Sequence, residues 1–480
     1  MTESISTESV EGVAHMEATD ESHTGANGMN ASERKAVSSL AGIYALRMMG
    51  LFMILPVFAL YAQHLKGVTP TLVGLAIGIY GLTQAVLQIP YGMLSDRIGR
   101  KPIIIFGLLV FAVGSIVAAT STSITGVIVG RALQGAGAIA ATVMALTADL
   151  TREENRLKAM ATIGISIGFA FAVSLVLGPL LNNLIGVPGI FWLTAVLAVS
   201  AIGVLKWIVP NPVSSTFHRD AMTVPAQLKS VLKDTQLLRI DFGIFVLHLM
   251  LTSTFVVLPL AMRDFAHLPS VHHWYVYLPV MVVSMVLMVP FVIIAEKKRR
   301  LKQVFGAAVL TMGIAEVGFM LLYHSLAGIV FGLFLFFIAF NVLEATLPSL
   351  VAKIAAPDHK GTAMGVYSSS QFIGAFTGGV MGGWLHQHYG IGAVFGLAAT
   401  MAMLWFLLAS TMQNPRYLSS YMVKVGQVDD IRAKHLVAEL TAVRGVAEAV
   451  VVVEDGIAYL KVDLHALDRD ALRAFSAAPA

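Results

Sequence analysis

Gly92-Met93-Leu94-Ser95-Asp96-Arg97-Ile98-Gly99-Arg100-Lys101-Pro102 is a short charged segment between two long apolar ones. The flanking blocks each run for about twenty residues, the length a helix needs to cross a hydrocarbon core, so the segment reads as a tight connection between two membrane spans. Its residue types have physical uses. Gly92 and Gly99 permit close backbone approach, Asp96 can accept from donors or from a helix N-terminus, and Arg100 can pair with a further carboxylate. Asp149, at the end of a later apolar block, is the candidate for that carboxylate.

Similar blocks recur along the chain. Twelve spans are read, at 38–62, 71–94, 102–122, 124–148, 159–183, 188–210, 240–263, 271–295, 303–323, 326–350, 361–386 and 390–412. Of the 480 residues 57% are hydrophobic and 12% charged, against roughly 25% charged in a soluble protein, which excludes a water-soluble globule. The pattern predicts an all-α polytopic membrane protein with the lipid bilayer as its surroundings. A net charge of +4 does not call for nucleic acid, because the cations sit between spans. Among loop cations, Lys66 and Arg263 alone fall on one side, while Arg34, Lys35, Arg97, Arg100, Lys101, Arg152, Lys233, Lys297, Arg300 and Lys353 are among the many on the other. That imbalance places both termini in the cytoplasm. With no cysteine, disulfides, thiolate metal sites and thiol catalysis are excluded. Residues 1–35 read as a disordered acidic extension without the apolar core of a signal peptide, so the first span is expected to act as the targeting signal.

The longest connection, 211–239, is read as a cytoplasmic linker between six-helix bundles at 36–210 and 240–412. An internal repeat supports two related halves: DLTREENRLKAMATIG from Asp149 aligns with KIAAPDHKGTAMGVYS from Lys353, both where a fourth span meets a fifth. After Met412 the composition becomes that of a small soluble domain, 416–480. A strand is read at Tyr421–Gly426, a helix capped by Asp429 with Leu436, Leu440 and Val443 on one face, and a hairpin of Ala449–Val453 and Ile457–Asp463 around Glu454-Asp455-Gly456. A short helix from Asp468 to Phe475 completes a βαββα order, a ferredoxin-like α+β module without its last strand.

The 92–102 segment resembles the G-x-x-x-D-R-x-G-R-K signature of the major facilitator superfamily. Arg131-Ala-Leu-Gln134-Gly135-Ala-Gly137 is similar to the same superfamily's R-x-x-Q-G-x-G motif. Gly178-Pro179 matches part of its antiporter motif, whose terminal glycine pair is replaced here by Asn182-Asn183; close helix packing with a proline kink reads these residues equally well. Phe340-Asn341-Val-Leu-Glu344-Ala-Thr-Leu-Pro348-Ser and the appended domain resemble the YajR-type group of bacterial inner-membrane transporters. The resemblance covers about 35–480. It implies a major facilitator fold of two six-helix bundles in the bacterial inner membrane, with Gly92, Asp96, Arg97, Gly99, Arg100, Lys101 and Asp149 forming a latch that holds the cytoplasmic face shut when the transporter opens outward. In the second half the corresponding Glu296-Lys-Lys-Arg-Arg300 lacks the glycines and reads as a latch or as a plain basic loop.

Charged and amide residues within apolar blocks are costly, so they mark candidate pathways. Arg47, Arg131 and Gln134 in the first half, and Glu316, Asn341 and Glu344 in the second, are the candidates for a substrate and proton pathway. They read equally as an arginine satisfied by carbonyls and as carboxyls that lock helices together. Gly164-Ile-Ser166-Ile-Gly168 matches a nucleophile-elbow pattern but lies inside an apolar helix, and no phosphate-binding Gly-x4-Gly-Lys-Ser/Thr occurs, so no catalytic residue, enzyme activity, cofactor or metal is expected. The leading expectation is secondary transport by alternating access, as proton-coupled efflux of a small amphipathic compound. Arg47 and Arg131, without acidic residues in the first six spans, favour an alternative: symport or uniport of an organic anion or metabolite. A third reading is a membrane sensor signalling through the C-terminal domain, whose ligand or protein partner the sequence leaves unknown.

Overall fold

The computed structural model describes residues 28–212, 224–414, 418–453, 456–463 and 466–475. The acidic stretch before Gly28, residues 213–223 of the central linker and the Glu454-Asp455 pair lie outside them.

The first helix, α1 (Ala31–Phe52), opens on a capping box, in which Asn30 Oδ1 accepts from the Glu33 amide and the Glu33 carboxylate accepts from the Asn30 amide. The last residues of the expected acidic extension are thus helical, and Glu33 is buried. The first span is not one helix. Pro56 cannot donate to the ladder, the chain passes through turns from Met53 to Val57, and α2 (Phe58–Ala62) resumes. Then come α3 (Pro70–Ile98) and α4 (Arg100–Thr120), joined at Gly99, whose φ of +104° suits glycine. The fourth span is likewise divided, into α5 (Ile124–Ala136) and α6 (Ala140–Asp149). At the break Gly137 packs so closely on α4 that a Cβ would overlap the Gly107 carbonyl.

Spans five and six form α7 (Glu153–Trp207), which bends at Gly186, φ +69°, two residues before Pro188. Gly178 and Pro179 lie in its first limb, and a Cβ on Gly178 would overlap the Met53 carbonyl. Close packing is therefore the visible use of that Gly-Pro pair. After a short α8 (Leu228–Val231) the second bundle comprises α9 (Thr235–Asp264), α10 (His273–Lys297), α11 (Leu301–Leu322), α12 (Leu326–Ile354), α13 (Lys360–Tyr389) and α14 (Ile391–Ser410). Asp234 caps α9, which starts five residues before the expected start of that span. Among the described residues, nine helical stretches are long and apolar enough to cross a membrane, and the one at Lys158–Trp207 holds two crossings. With α1–α2 and α13 in the two remaining positions, twelve crossings form two bundles of six.

The bundles meet through glycine. On α3, a Cβ at Gly74, Gly78 or Gly81 would run into the backbone of Gly379, Phe376 or Phe372 on α13. The opposite face of α13 repeats the device inside its own bundle, with Gly374, Gly378 and Gly382 against Phe245, Leu249 and Ser253 of α9. Small residues at i, i+4 spacing let backbones approach where lipid gives side chains no hydrophobic reason to associate. The α3–α13 seam lies toward the cation-poor end, where Thr71 Oγ1 donates to Gln387 Oε1 at 2.7 Å, Arg263 to Gln63 at 2.9 Å and Asn183 to the Val271 carbonyl at 3.1 Å.

The C-terminal domain is a three-stranded antiparallel sheet, order β1-β3-β2, of β1 (Ser419–Lys424), β2 (Val446–Val452) and β3 (Ile457–Val462). Helices α15 (Asp430–Ala442), capped by Asp429, and α16 (Arg469–Arg473) complete it. β3 lies between β1 and β2, as in a split β-α-β unit. Leu436, Leu440, Val446, Ala458, Leu460, Val462 and Leu472 form its core. Buried Lys461 leaves the sheet to donate to the carbonyls of Lys353 and Ile354, at 3.0 and 3.2 Å, where a cation suits the C-terminal dipole of α12.

Gly74→Ala should destabilise the protein by about 1–3 kcal/mol through overpacking, read as a lower midpoint of thermal unfolding in detergent. Gly164→Ala is the matched control, since its Cβ would meet nothing within 4 Å.

Candidate functional site

The motif at the cation-rich end folds around Arg100. The left-handed Gly99 turns the chain at the start of α4, so that Arg100 points back along α3 and across to α6. Its guanidinium donates to Asp96, to Ser95 Oγ at 2.7 Å and, through Nε, to Asp149 Oδ2 at 3.1 Å. Arg100 is 3% exposed, so three acceptors surround a desolvated charge. Gly92 lets α3 approach Ala141 of α6. Lys101 is drawn elsewhere, to the Val209 carbonyl at 2.6 Å just beyond α7, and Arg97 is exposed. Glu33, which precedes the first span, accepts from Arg152 Nε and Nη2 at 3.1 Å, from its amide at 2.8 Å and from Asn155. Arg152 above all holds its carboxyl down at about 2, against an ordinary 4.5.

The second half carries a counterpart with the charges exchanged. Glu296, at the end of α10, accepts from Lys353 Nζ at 2.6 Å and from Ser349 Oγ at 2.6 Å, both on α12. Lys353 is the residue that the internal repeat aligns with Asp149. Burial pushes the Glu296 carboxyl up, but Lys353 and Ser349 outweigh it and hold it below its usual range. A bond between a basic loop and the end of the fourth span therefore exists in both halves, with opposite polarity.

Within the first bundle Arg131 donates to Gln134 Oε1 at 2.8 Å and to the carbonyls of Ala76 and Ile77 at 3.4 Å, with its guanidinium 5.1 Å from the Tyr80 ring centroid. Gln134 passes the chain on to Ser115 at 2.8 Å. Arg47 reaches Gln84 Oε1 at 2.5 Å and lies over the rings of Tyr80 and Phe111. Among the described residues neither arginine contacts a carboxylate.

The second-bundle carboxyls hang on α9. Glu316, fully buried on α11, accepts from Thr254 at 2.9 Å. Glu344, on α12 with its side chain 31% exposed, lies 3.1 Å from His248 Nε2. That same nitrogen is 2.8 Å from the Gln371 side-chain amide nitrogen of α13, and His248 Nδ1 is 3.3 Å from the Ile244 carbonyl. Asn341 donates to Ser284 of α10 at 3.3 Å and stands apart from this cluster. Six residues separate His248 from Thr254, roughly 9 Å along one helix.

The structure thus joins Arg131 with Gln134 and Arg100 with Asp96 and Asp149, and it keeps the arginines of one half away from the carboxyls of the other. Sequence reasoning missed Ser95, Gln84, Thr254, His248 and Gln371. The signal for Gln84 and His248 was present, since each is a polar side chain inside an apolar block.

A sequence profile of the Major Facilitator Superfamily matches residues 40–297 and 240–420. The chain is 46% identical over 442 residues to the inner membrane transport protein YajR of Escherichia coli K12, covering 92% of this chain and 97% of that one. It is 26% identical to the multidrug resistance protein MdtH of Yersinia enterocolitica, over 71% of this chain and 84% of that one. Among solved structures, a bacterial homologue of the human lysosomal transporter Spinster, in an inward-facing and occupied conformation, superposes with a TM-score of 0.67 at 12% identity. It covers 80% of this chain and 98% of that one. The human organic anion transporter MFSD10 superposes with a TM-score of 0.60 at 19% identity, covering 79% and 100%.

A double-mutant cycle of Arg100→Ala and Asp149→Ala, read by thermal unfolding, should return a coupling of about 0.5–3 kcal/mol. Because Glu33 is held below its ordinary value, its contribution to stability is complete above about 4.5 and disappears as pH falls toward about 2. Glu33→Gln should flatten the acid limb of the stability profile in that window.

Proposed function

The chain belongs to the major facilitator superfamily, and we propose that it is a secondary active transporter coupling proton movement to efflux of a small amphipathic compound by alternating access. It is a multi-pass transporter of the bacterial inner membrane by its relatives, and the cation distribution supports placing both termini in the cytoplasm. The multidrug resistance relatives support the efflux reading. Under this proposal Asp96, Arg100 and Asp149 form the cytoplasmic gate, flanked by Arg97 and Lys101, with Glu296 and Lys353 as its counterpart.

The observation that carries the reading is the placement of His248 between two helices. With Nδ1–H donating to the Ile244 carbonyl, a neutral imidazole accepts at Nε2 from Gln371 of α13. The same nitrogen lies 3.1 Å from the Glu344 carboxylate of α12, so His248 joins α9 to both α12 and α13. Since α13 also carries the glycine seam to the first bundle, that junction bears on the contact between bundles. Glu316 of α11, bonded to Thr254 of α9, is a second, enclosed proton site against the same helix. Arg131, Gln134 and Asn341 complete the pathway as groups that hold its helices in place.

A second reading, symport or uniport of an organic anion, is favoured by the carboxylate-free surroundings of Arg47.

Proteoliposomes with a lumenal pH dye, an imposed proton gradient and a panel of lipophilic cations and organic anions test the proposal. Substrate-dependent proton movement is expected, and it should be lost in Glu344→Gln and in the double variant Glu316→Gln/Glu344→Gln while substrate still binds. Unchanged proton flux in the double variant removes the coupling assignment.

A further inference from the structure

Four buried hydrogen-bond donors lie close together in the first bundle, with the Tyr80 hydroxyl oxygen beside the Arg47 guanidinium as the nearest further acceptor. Arg47 Nε and Nη1, the Tyr80 hydroxyl and Gln84 Nε2 are all buried and all without a well-formed acceptor. Arg47, Tyr80 and Gln84 are 2%, 1% and 0% exposed. Gln84 cannot relieve the excess by turning its amide over, because its Oε1 already accepts from Arg47 Nη2 at 2.5 Å. The guanidinium lies 5.6 and 5.7 Å from the ring centroids of Tyr80 and Phe111, so its faces are covered by rings while Nε and Nη1 on its edge have no well-formed acceptor.

The contrast with Arg131 shows that this is not the general condition of a buried arginine here. Arg131, 1% exposed, has three acceptors and serves as a packing element. Arg47 has one. No neighbouring carboxylate can supply the missing charge: the sequence holds no Asp or Glu between Arg34 and Ser95, and Glu33, Asp96 and Asp149 are engaged with Arg152 and Arg100 at the cation-rich end. A permanent cation with free donors in a low-dielectric interior is stabilised by an acceptor carrying negative charge.

We propose that Arg47, Tyr80 and Gln84 form a monoanion-binding subsite at the seam of the two bundles. It accepts either the carboxylate head of an amphipathic substrate or a small inorganic anion of the same charge. The seam location follows from Tyr80, whose ring centroid lies 6.4 Å from that of Phe372 on α13. This rests on the transport reading for its biological use and names a substrate class for it: a compound with one anionic group that hydrogen-bonds edge-on to a guanidinium, and an apolar body suited to the aromatic surroundings. Burial in the present conformation means that the ligand enters and leaves in another, as an occluded subsite requires.

Thermal unfolding of the purified full-length protein tests the subsite without any gradient or flux. Sodium chloride, sodium nitrate and sodium salts of short and medium-chain monocarboxylates are titrated against a bulky sulfonate at equal ionic strength. A saturable stabilisation by at least one anion is expected. Its apparent affinity should fall at least about tenfold in Arg47→Gln and several-fold in Tyr80→Phe, which removes one donor and keeps the ring. Should Arg47→Gln fail to fold, Tyr80→Phe and Arg47→Lys carry the test. Chloride or nitrate acting while carboxylates do not compete identifies an ion site; competition by carboxylates that also drive flux in proteoliposomes identifies the substrate head. No anion-specific shift in the native protein, or one undiminished in the variants, overturns the proposal, whether or not transport is observed. Transport of cations alone, with the anion shift intact, would instead remove the substrate assignment and leave the subsite.

Discussion

Helix α13 has to lie against two neighbours at once, and the arrangement depends on glycines placed where its backbone comes closest to each. Gly379 and Gly383 admit α3 from the other bundle, while Gly374, Gly378 and Gly382 admit α9 from its own. In lipid the gain from such packing comes from dispersion and from hydrogen bonds formed at short range, since apolar side chains are equally content against acyl chains. The consequence is mechanical. Three helices are in backbone contact across the molecule, so a change in how α9 is held reaches the interface between bundles without passing through a flexible side chain.

The charged groups are arranged around that constraint. At the cation-rich end each half ties a loop to the end of its fourth span, with Arg100 on Asp149 in one and Lys353 on Glu296 in the other. Lys461 adds the C-terminal domain to the second of these, seated on the last carbonyls of α12 beside Lys353. Inside the membrane the halves differ. The first holds guanidiniums among aromatic rings and amides; the second holds carboxyls against hydroxyl and imidazole groups of α9.

The twelve crossings, their pairing into halves and the small βαββα domain were legible because apolar length, turn residues and period-two runs are local properties of sequence. The contact of Arg100 with Asp149 was legible too, through the residue types and the ends at which they sit. Most of what was not read came from three-dimensional proximity. Pro56, which interrupts the first span, stood in the sequence but was not used; the close packing of Gly137 on Gly107 at the break in the fourth is not visible along the chain. The glycines of α13 were visible as two interleaved Gly-x3-Gly pairs from 378 to 383, yet only the structure shows that they serve two neighbours. Arg47 and Arg131 looked alike in sequence; counting acceptors separates them.

Under the proposed alternating-access cycle, the glycine-packed contact at the cation-poor end opens in each turnover. The chain has no native cysteine, so Thr71→Cys with Gln387→Cys, replacing side chains 2.7 Å apart across the two bundles, gives a cross-link without background. Oxidative cross-linking in proteoliposomes should form readily and abolish transport, with activity restored by reductant. Full transport in quantitatively cross-linked protein would contradict the account, because the bundles would then be cycling without parting where their backbones touch.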